Sequence, residues 1–313
     1  MSRRQLNQEP SESFQFALRA LDRDGAAPAT VEPLSDLSRA DARALRRAWP
    51  SLERNTRYRC VALMASLATD ELRYNFERAL LVALSDEDPE IRTMAADALW
   101  ESESSAALDE LLRLLAREDA PAVRVTLINA LGRYARLASE DQLSISQRES
   151  IERVLLDAVD NDPRAEVRAS AMAAVAYLRP ASLGPSLERA FDEGDDDERL
   201  AAVQAMGRFG GREWASRIID ALRGGDSDLR IEAAQAAPYV EDTRVIPFLF
   251  DAAEDEDDTD LQRAAVAALG ELGGEQVQRF LEEMRDTTSG ELAEAIEEAL
   301  ANVRFMNGDP LVP

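Results

Sequence analysis

A short pattern that recurs eight times constrains the fold of this 313-residue chain more than any other feature. It consists of an apolar residue, then usually Arg, then small or apolar residues three, six and seven positions after the Arg. Ile91-Arg92-x-x-Ala95-x-x-Ala98-Leu99 and Val123-Arg124-x-x-Leu127-x-x-Ala130-Leu131-Gly132 show it most clearly. The other copies are anchored at Arg59, Arg168, Arg199, Arg230, Gln262 and Ala293, the last two without the Arg. Successive anchors are 33, 32, 44, 31, 31, 32 and 31 residues apart, so one unit repeats with a single insertion. A fixed period in this range specifies a solenoid, in which each unit covers the apolar face of its neighbour. Such an array grows by adding units, so the length implies one elongated domain.

Each unit reads as two helices. Helix A is rich in Leu, as in Leu108-Asp109-Glu110-Leu111-Leu112-Arg113-Leu114-Leu115, with apolar residues at helical spacing. Helix B carries the anchor and is rich in Ala, as in Arg230-Ile231-Glu232-Ala233-Ala234-Gln235-Ala236-Ala237, and its small side chains let neighbouring helices approach closely. The turn between them is acidic and often holds Pro, as in Asp86-Glu87-Asp88-Pro89-Glu90 and Asp160-Asn161-Asp162-Pro163. Asp before Pro suits a helix start, its carboxylate facing the positive end of helix B. Residues 1–37 lack the pattern and read as a leader or N-terminal cap, with a short helix over Ser13–Leu21 ended by Asp24-Gly25-Ala26-Ala27-Pro28. The repeats then occupy residues 38–304, with the insertion at about 138–150, and residues 305–313 form a tail.

The formal charge is -25, and all 36 basic residues are Arg. Nucleic acid is therefore not an expected partner, because phosphate binding draws on clustered basic residues. Anionic membranes are disfavoured for the same reason, and no apolar run approaches the roughly 20 residues that span a bilayer. Met1-Ser2-Arg3-Arg4-Gln5 lacks the apolar core of a signal peptide, so the expected location is the cytoplasm. Without His or Lys the chain has no imidazole base, no His metal site, no Schiff-base amine and no P-loop lysine. The lone Cys60, beside Val61 and Ala62, reads as a core thiol. The runs Asp192-Glu193-Gly194-Asp195-Asp196-Asp197 and Glu254-Asp255-Glu256-Asp257-Asp258 lack the order of a calcium loop and read as solvated turns. No cofactor or metal is expected.

The run Asp86-x-Asp88-Pro89-Glu90-Ile91-Arg92-x-x-Ala95-Ala96-x-Ala98-Leu99, echoed by Asp119-x-Pro121-x-Val123-Arg124 and closed by Leu131-Gly132, resembles HEAT repeats, in particular the phycobilisome-lyase-type HEAT-like subgroup. The resemblance covers about residues 38–302. It implies an all-α fold, a right-handed α-solenoid (superhelix) of about eight antiparallel helix-pair HEAT-like repeats. It also implies that acid and Arg pairs form a stacked structural ladder, here Asp86 and Asp88 with Arg92, Glu118 with Arg124, Asp162 with Arg168, Asp195 with Arg199 and Asp226 with Arg230. In such solenoids helix B lines the concave side. HEAT-like hydroxylases hold iron with His-Glu pairs, which a chain without His cannot supply.

If the third, sixth, seventh and tenth positions after the anchor face the core, the fifth and ninth form an exposed row on helix B. That row reads Asp97 and Glu101, Asn129 and Arg133, Ala173 and Tyr177, Gln204 and Arg208, Gln235 and Tyr239, Ala267 and Glu271. Its centre collects Asn129, Arg133, Tyr177, Gln204, Arg208, Gln235 and Tyr239, residue types that interface centres favour. These are the candidate partner-binding residues; a solvated face is the alternative. The insertion, around Ser139–Gln147, reads as a surface loop or part of a binding site. Trp100 stands where Gly132, Gly207 and Gly270 stand elsewhere and is expected to fill the junction with the next helix A, an exposed aromatic anchor being the alternative, while Trp214 and Trp49 are expected in the core.

The function these features imply is a non-enzymatic scaffold, a monomer or a subunit of a hetero-complex, that binds a protein or peptide on its concave helix-B face. Two alternatives stand beside it: a phycobilin lyase-like enzyme handling a chromophore, suggested by the repeat subgroup alone, and a structural subunit of a larger complex.

Overall fold

The structure, a computed structural model, describes residues 9–70, 73–100, 102–224, 226–255 and 257–306. Glu101, Glu256, residues 1–8 of the leader and residues 307–313 of the tail lie outside the described residues. Every regular element among the described residues is helical.

The chain forms two compact units, residues 1–155 and 156–313. In the first, α1 (Glu12–Asp24) and the single turn α2 (Pro28–Val31) precede three pairs: α3 (Arg39–Ala48) with α4 (Arg54–Asp70), α5 (Glu77–Ala83) with α6 (Pro89–Asp97), and α7 (Ser105–Leu115) with α8 (Pro121–Ser139). The division falls within α9 (Ile145–Asn161), which α10 (Ala165–Val175) follows. Four pairs complete the second unit: α11 (Gly184–Glu193) with α12 (Asp196–Phe209), α13 (Ala215–Leu222) with α14 (Ser227–Ala236), α15 (Ile246–Ala253) with α16 (Thr259–Leu272), and α17 (Glu275–Arg285) with α18 (Glu291–Met306). Odd-numbered helices from α3 on are helix A and even-numbered ones helix B. Within the units α6 packs on α8, and α10, α12, α14, α16 and α18 pack each on the next, which is the stacking of a solenoid.

The leader contains a packed helix. Ser11 caps α1 by accepting a hydrogen bond from the Phe14 N–H, Gly25 closes it at φ 80°, and Phe14, Ala17, Ala20 and Leu21 are buried. The expected insertion does not emerge as a loop. Its residues lengthen α8 to 19 residues and α9 to 17, leaving only a short turn over 140–144, because Leu137 and Ala138 continue the buried stripe of α8.

In the second unit repeat positions three, six and seven after the anchor are buried, as Ala202, Ala205 and Met206 on α12 and Ala233, Ala236 and Ala237 after Arg230 illustrate, whereas Ala98 and Ala130 at position six in the first unit are half-buried. Small residues set the approach between layers. A Cβ on Gly207 would lie 2.8 Å from Ala236 Cβ and 3.0 Å from its Cα; one on Gly270 would lie 2.8 Å from both atoms of Ala299. Trp100 does not fill the corresponding junction: it is 59% exposed, because α6 ends at Asp97 and Trp100 sits in the turn beyond it. Trp214 is buried edge-on to Phe209, and buried Trp49 donates its indole N–H to Asp86 Oδ2 at 2.6 Å.

The ladder exists, but its wiring differs from the spacing rule. An acid four residues before the anchor caps helix B: Asp88 accepts from the Glu90 N–H, Asp195 from Glu198, Asp226 from Leu229 and Asp258 from Leu261. The anchor side chain points back toward the helix N-terminus and meets carbonyl oxygens at the end of its own helix A. Arg124 Nη1 donates to Leu115 O at 2.9 Å, Arg199 Nε to Phe191 O at 3.0 Å and Arg230 Nε to Leu222 O at 3.3 Å. Gln262, which lacks the Arg, still donates its amide to Ala253 O at 3.1 Å. Arg92 and Arg168 reach Asp86 O and Asp162 O in the same way.

The carboxylate partner comes from the following repeat. Arg92 binds both oxygens of Glu118 at 2.7 Å, Arg168 meets Glu198 at 2.8 Å, and Arg230 meets Asp255 at 2.8 Å. In the first layer Arg57, not Arg59, holds this position: Arg57 is buried against Asp86 at 3.3 Å and Glu87 at 2.8 Å, while Arg59 is exposed. Asp88 pairs with Arg54. Asp162, beyond its carbonyl, accepts from the Arg164 N–H and guanidinium at 3.1 Å.

Burial pushes the Glu118 carboxyl up, but the bonds from Arg92 and the Ala120 N–H outweigh it, and its pKa lies below the usual value. The stabilisation is present in full above the unfolded pKa near 4.5 and is lost as the pH falls through the lowered folded value. Arg92→Met should cost about 3 kcal/mol at neutral pH by leaving Glu118 buried and unpaired. In urea denaturation that penalty should shrink below pH 4.5, where protonation relieves the orphaned carboxylate. Gly207→Ala should also lower the urea midpoint, since overpacking costs about 1–3 kcal/mol against the roughly 1 kcal/mol gained in helix propensity, and backbone atoms of Ala236 cannot swing aside.

Candidate functional site

In the second unit the helix-B ends of four successive repeats enclose an open groove of about 670 Å³. Its floor is low because small residues line it, Gly207, Ala236, Ala264, Ala267 and Ala268. Its walls are Tyr177, Gln204, Arg208, Gln235 and Tyr239, together with Arg179, Glu232 and Glu271. Five of the seven residues picked out by spacing therefore meet in one groove. The other two, Asn129 and Arg133, lie on α8 in the first unit, where Asn129 is exposed and Arg133 bonds Glu103 at 3.1 Å.

Local chain geometry puts the tyrosines on the rim. Helices α12 and α16 close on glycines, Gly210 at φ 70° and Gly273 at φ 66°. By contrast α10 and α14 run into tight 3₁₀ turns, Ala176–Leu178 and Ala237–Val240, which carry Tyr177 and Tyr239. Each turn ends on a non-glycine residue in the left-handed region, Arg179 at φ 50° and Glu241 at φ 51°, a conformation that costs about 1 kcal/mol or more. The neighbouring repeat holds the second turn: Gly211 N–H donates to Tyr239 O at 3.2 Å and Arg212 Nε to Glu241 O at 3.0 Å. Tyr239 stays 54% exposed.

Arg208 is fixed before any ligand arrives. Its Nη1 donates to Ala173 O at 2.6 Å, its guanidinium carbon lies 4.8 Å from the Tyr177 ring centre, and Arg179 Nε donates to Arg208 O at 3.2 Å. Glu232 stands below it, half-buried; burial raises its carboxyl pKa, and the charge of Arg208 offsets part of that rise. The Glu271 carboxylate, burial and a hydrogen bond to Glu271 all raise the Tyr239 phenol. The groove thus offers two tyrosine faces, two amides, two guanidinium groups and two carboxylates. Such a set binds by area and directional hydrogen bonds.

Spacing missed Arg179 and Glu232. Arg179 lies beyond helix B and carries no periodic signal, whereas Glu232 is three residues before Gln235 and so on the same face, which a wider row would have included. The acid runs supply helix caps through Asp195 and Asp258. Among the described residues no group of three or more Cys, Asp and Glu is placed to hold a metal ion, and no helix is long and apolar enough to cross a membrane. Burial pushes the Cys60 thiol up to about 12.

The sequence profile of HEAT repeats matches residues 77–145 and 215–301. No curated protein matches the chain. Among solved structures, the Escherichia coli protein YibA is 17% identical, with 95% of this chain and 98% of that one covered and a TM-score of 0.55, a likeness of fold alone. The CpcE–CpcF complex of phycocyanin lyase from Nostoc sp. PCC7120 is 18% identical over 72% of this chain and 94% of that one, with a TM-score of 0.49. Human deoxyhypusine hydroxylase is 18% identical over 94% and 96%, with a TM-score of 0.36. Neither of the latter two scores supports residue-by-residue transfer.

Because Glu232 is held with a raised pKa, its ionised form opposes folding above that pKa, and the opposition fades as the pH falls toward the unfolded value of 4.5. Glu232→Gln should therefore raise the urea midpoint at neutral pH, and the gain should disappear near pH 4.5.

Proposed function

We propose that this chain, a member of the HEAT-repeat family, is a non-enzymatic scaffold that holds a segment of a partner protein in the groove of its second unit. The observation that carries the reading is convergence: five side chains selected by repeat spacing and residue type line one groove with a small-residue floor. Tyr and Arg are the residue types on which binding energy concentrates, and Arg208 is already ordered, so little side-chain entropy remains to be lost on binding. An extended segment would lay an apolar side chain on the alanine floor between Tyr177 and Tyr239, while Gln204 and Gln235 bond its backbone. No reacting group is needed. Buried Cys60, with its raised pKa, is poorly suited to act as a nucleophile, and every ladder carboxylate has a structural partner.

The test is site-specific crosslinking. A photoreactive benzoylphenylalanine at Gln235 should capture one discrete protein in lysate from the native cells, and the same probe at exposed Asp220 on α13 should not. Tyr177→Ala with Tyr239→Ala should abolish the capture in a variant that keeps its helical circular dichroism. Equal capture at both positions, or retention by the folded double variant, would remove the groove from the function.

A further inference from the structure

Helix α3 carries Arg39, Arg43, Arg46 and Arg47, spaced i, i+4, i+7 and i+8. That spacing places all four within about 100° of arc. The opposite side of the helix buries Asp41 and Leu45 against the first unit. Arg39, Arg46 and Arg47 are exposed and Arg43 half-buried.

Most arginines of this protein are tied to a neighbour. Arg54 holds Asp88 and Glu90, Arg217 holds Asp192, Arg244 holds Asp242, and the anchors hold carbonyls and carboxylates. Among the described residues, none lies within hydrogen-bond or ion-pair distance of the four α3 side chains. The chain concentrates positive charge here against its own trend: residues 39–59 hold seven Arg and two acids, while residues 156–313 hold 15 Arg and 35 acids. Like charges at i and i+4 repel along a helix, and Arg39 in the first turn also faces the positive end of its dipole, while Arg46 and Arg47 lie in the last turn, where the dipole favours them. The N-terminal end is capped, Ser38 Oγ and Asp41 bonding one another, on the side of the helix away from the four arginines.

We infer that this face of α3 is a docking surface for a short acidic helical segment of a partner protein. Guanidinium forks match carboxylates in two-point geometry, and the stripe presents them at the spacing at which a second helix presents Glu or Asp. The stripe is about 12 Å long from Arg39 to Arg47. It therefore fits a few carboxylates, whereas a nucleic acid would carry its phosphates onward along a molecule whose net charge is -25. The inference is independent of the groove: it concerns the other unit and a ligand recognised by its charge.

The probe is a fluorescein-labelled decaglutamate peptide titrated against the full chain by anisotropy, with decaglutamine and a thymidine decanucleotide as comparisons. The overall charge repels decaglutamate, so binding requires a local positive surface. The expected result is binding of decaglutamate alone, weakened by added salt, and about tenfold weaker for the variant Arg39→Gln/Arg43→Gln/Arg46→Gln/Arg47→Gln. Arg46→Gln/Arg47→Gln, which changes only exposed positions, should lose part of the affinity while keeping its helical circular dichroism. Failure of wild type to bind decaglutamate, or equal binding by both variants, overturns the proposal. Tighter binding of the oligonucleotide overturns it in favour of nucleic acid, and Arg-dependent self-association in sedimentation velocity overturns it in favour of a second copy.

Discussion

One side chain per repeat does two things, and the stacking depends on it. The anchor, at the fourth position of helix B, reaches back to a carbonyl at the end of its own helix A and, where it is Arg, can reach forward to a carboxylate of the next repeat. The first contact closes the helix pair by satisfying a backbone acceptor that the helix leaves open. The second ties one pair to the next. Arg suits the double task because its planar group presents five donors in fixed directions, and Gln262 shows what remains when the second task is dropped: the carbonyl bond alone.

Helix B keeps one row of side chains outside the packing because the anchor and the small residues have already settled it. Gly207 and Gly270 bring neighbouring helices to near-contact, and alanines fill most of the interface. Large side chains on the remaining face then stand above a low surface. The groove is a by-product of close stacking with the bulk placed at the helix ends, where 3₁₀ turns swing Tyr177 and Tyr239 outward. Net negative charge follows partly from the same device, since the acidic turns supply the caps of α6, α12, α14 and α16.

Repeat spacing made the helices, their order and the buried positions legible, since burial at three, six and seven after the anchor is a property of helical geometry. It also placed Tyr177, Gln204, Arg208, Gln235 and Tyr239 on one face. It misassigned the ladder partners in two ways: the acid four residues before the Arg is the N-cap, its side chain turned to the N–H groups of its own helix, and the acid six residues before, as in Asp86, Glu118 and Asp162, meets the Arg through its backbone carbonyl. The first anchor was misplaced by two residues, at Arg59 instead of Arg57, since Arg occurs at both positions and only burial distinguishes them.

The chain by itself determined the solenoid stacking of helix pairs, because a fixed period of apolar residues admits only repeated burial of the same face. Which carboxylate meets which guanidinium was decided by tertiary structure, through the offset between stacked layers. So was the absorption of the insertion into α8 and α9, where burial of Leu137 and Ala138 favoured longer helices over a loop. Tertiary structure also left the arginines of α3 without partners among the described residues: sequence shows the charges, but only the arrangement of neighbouring helices shows that no described acid comes within reach.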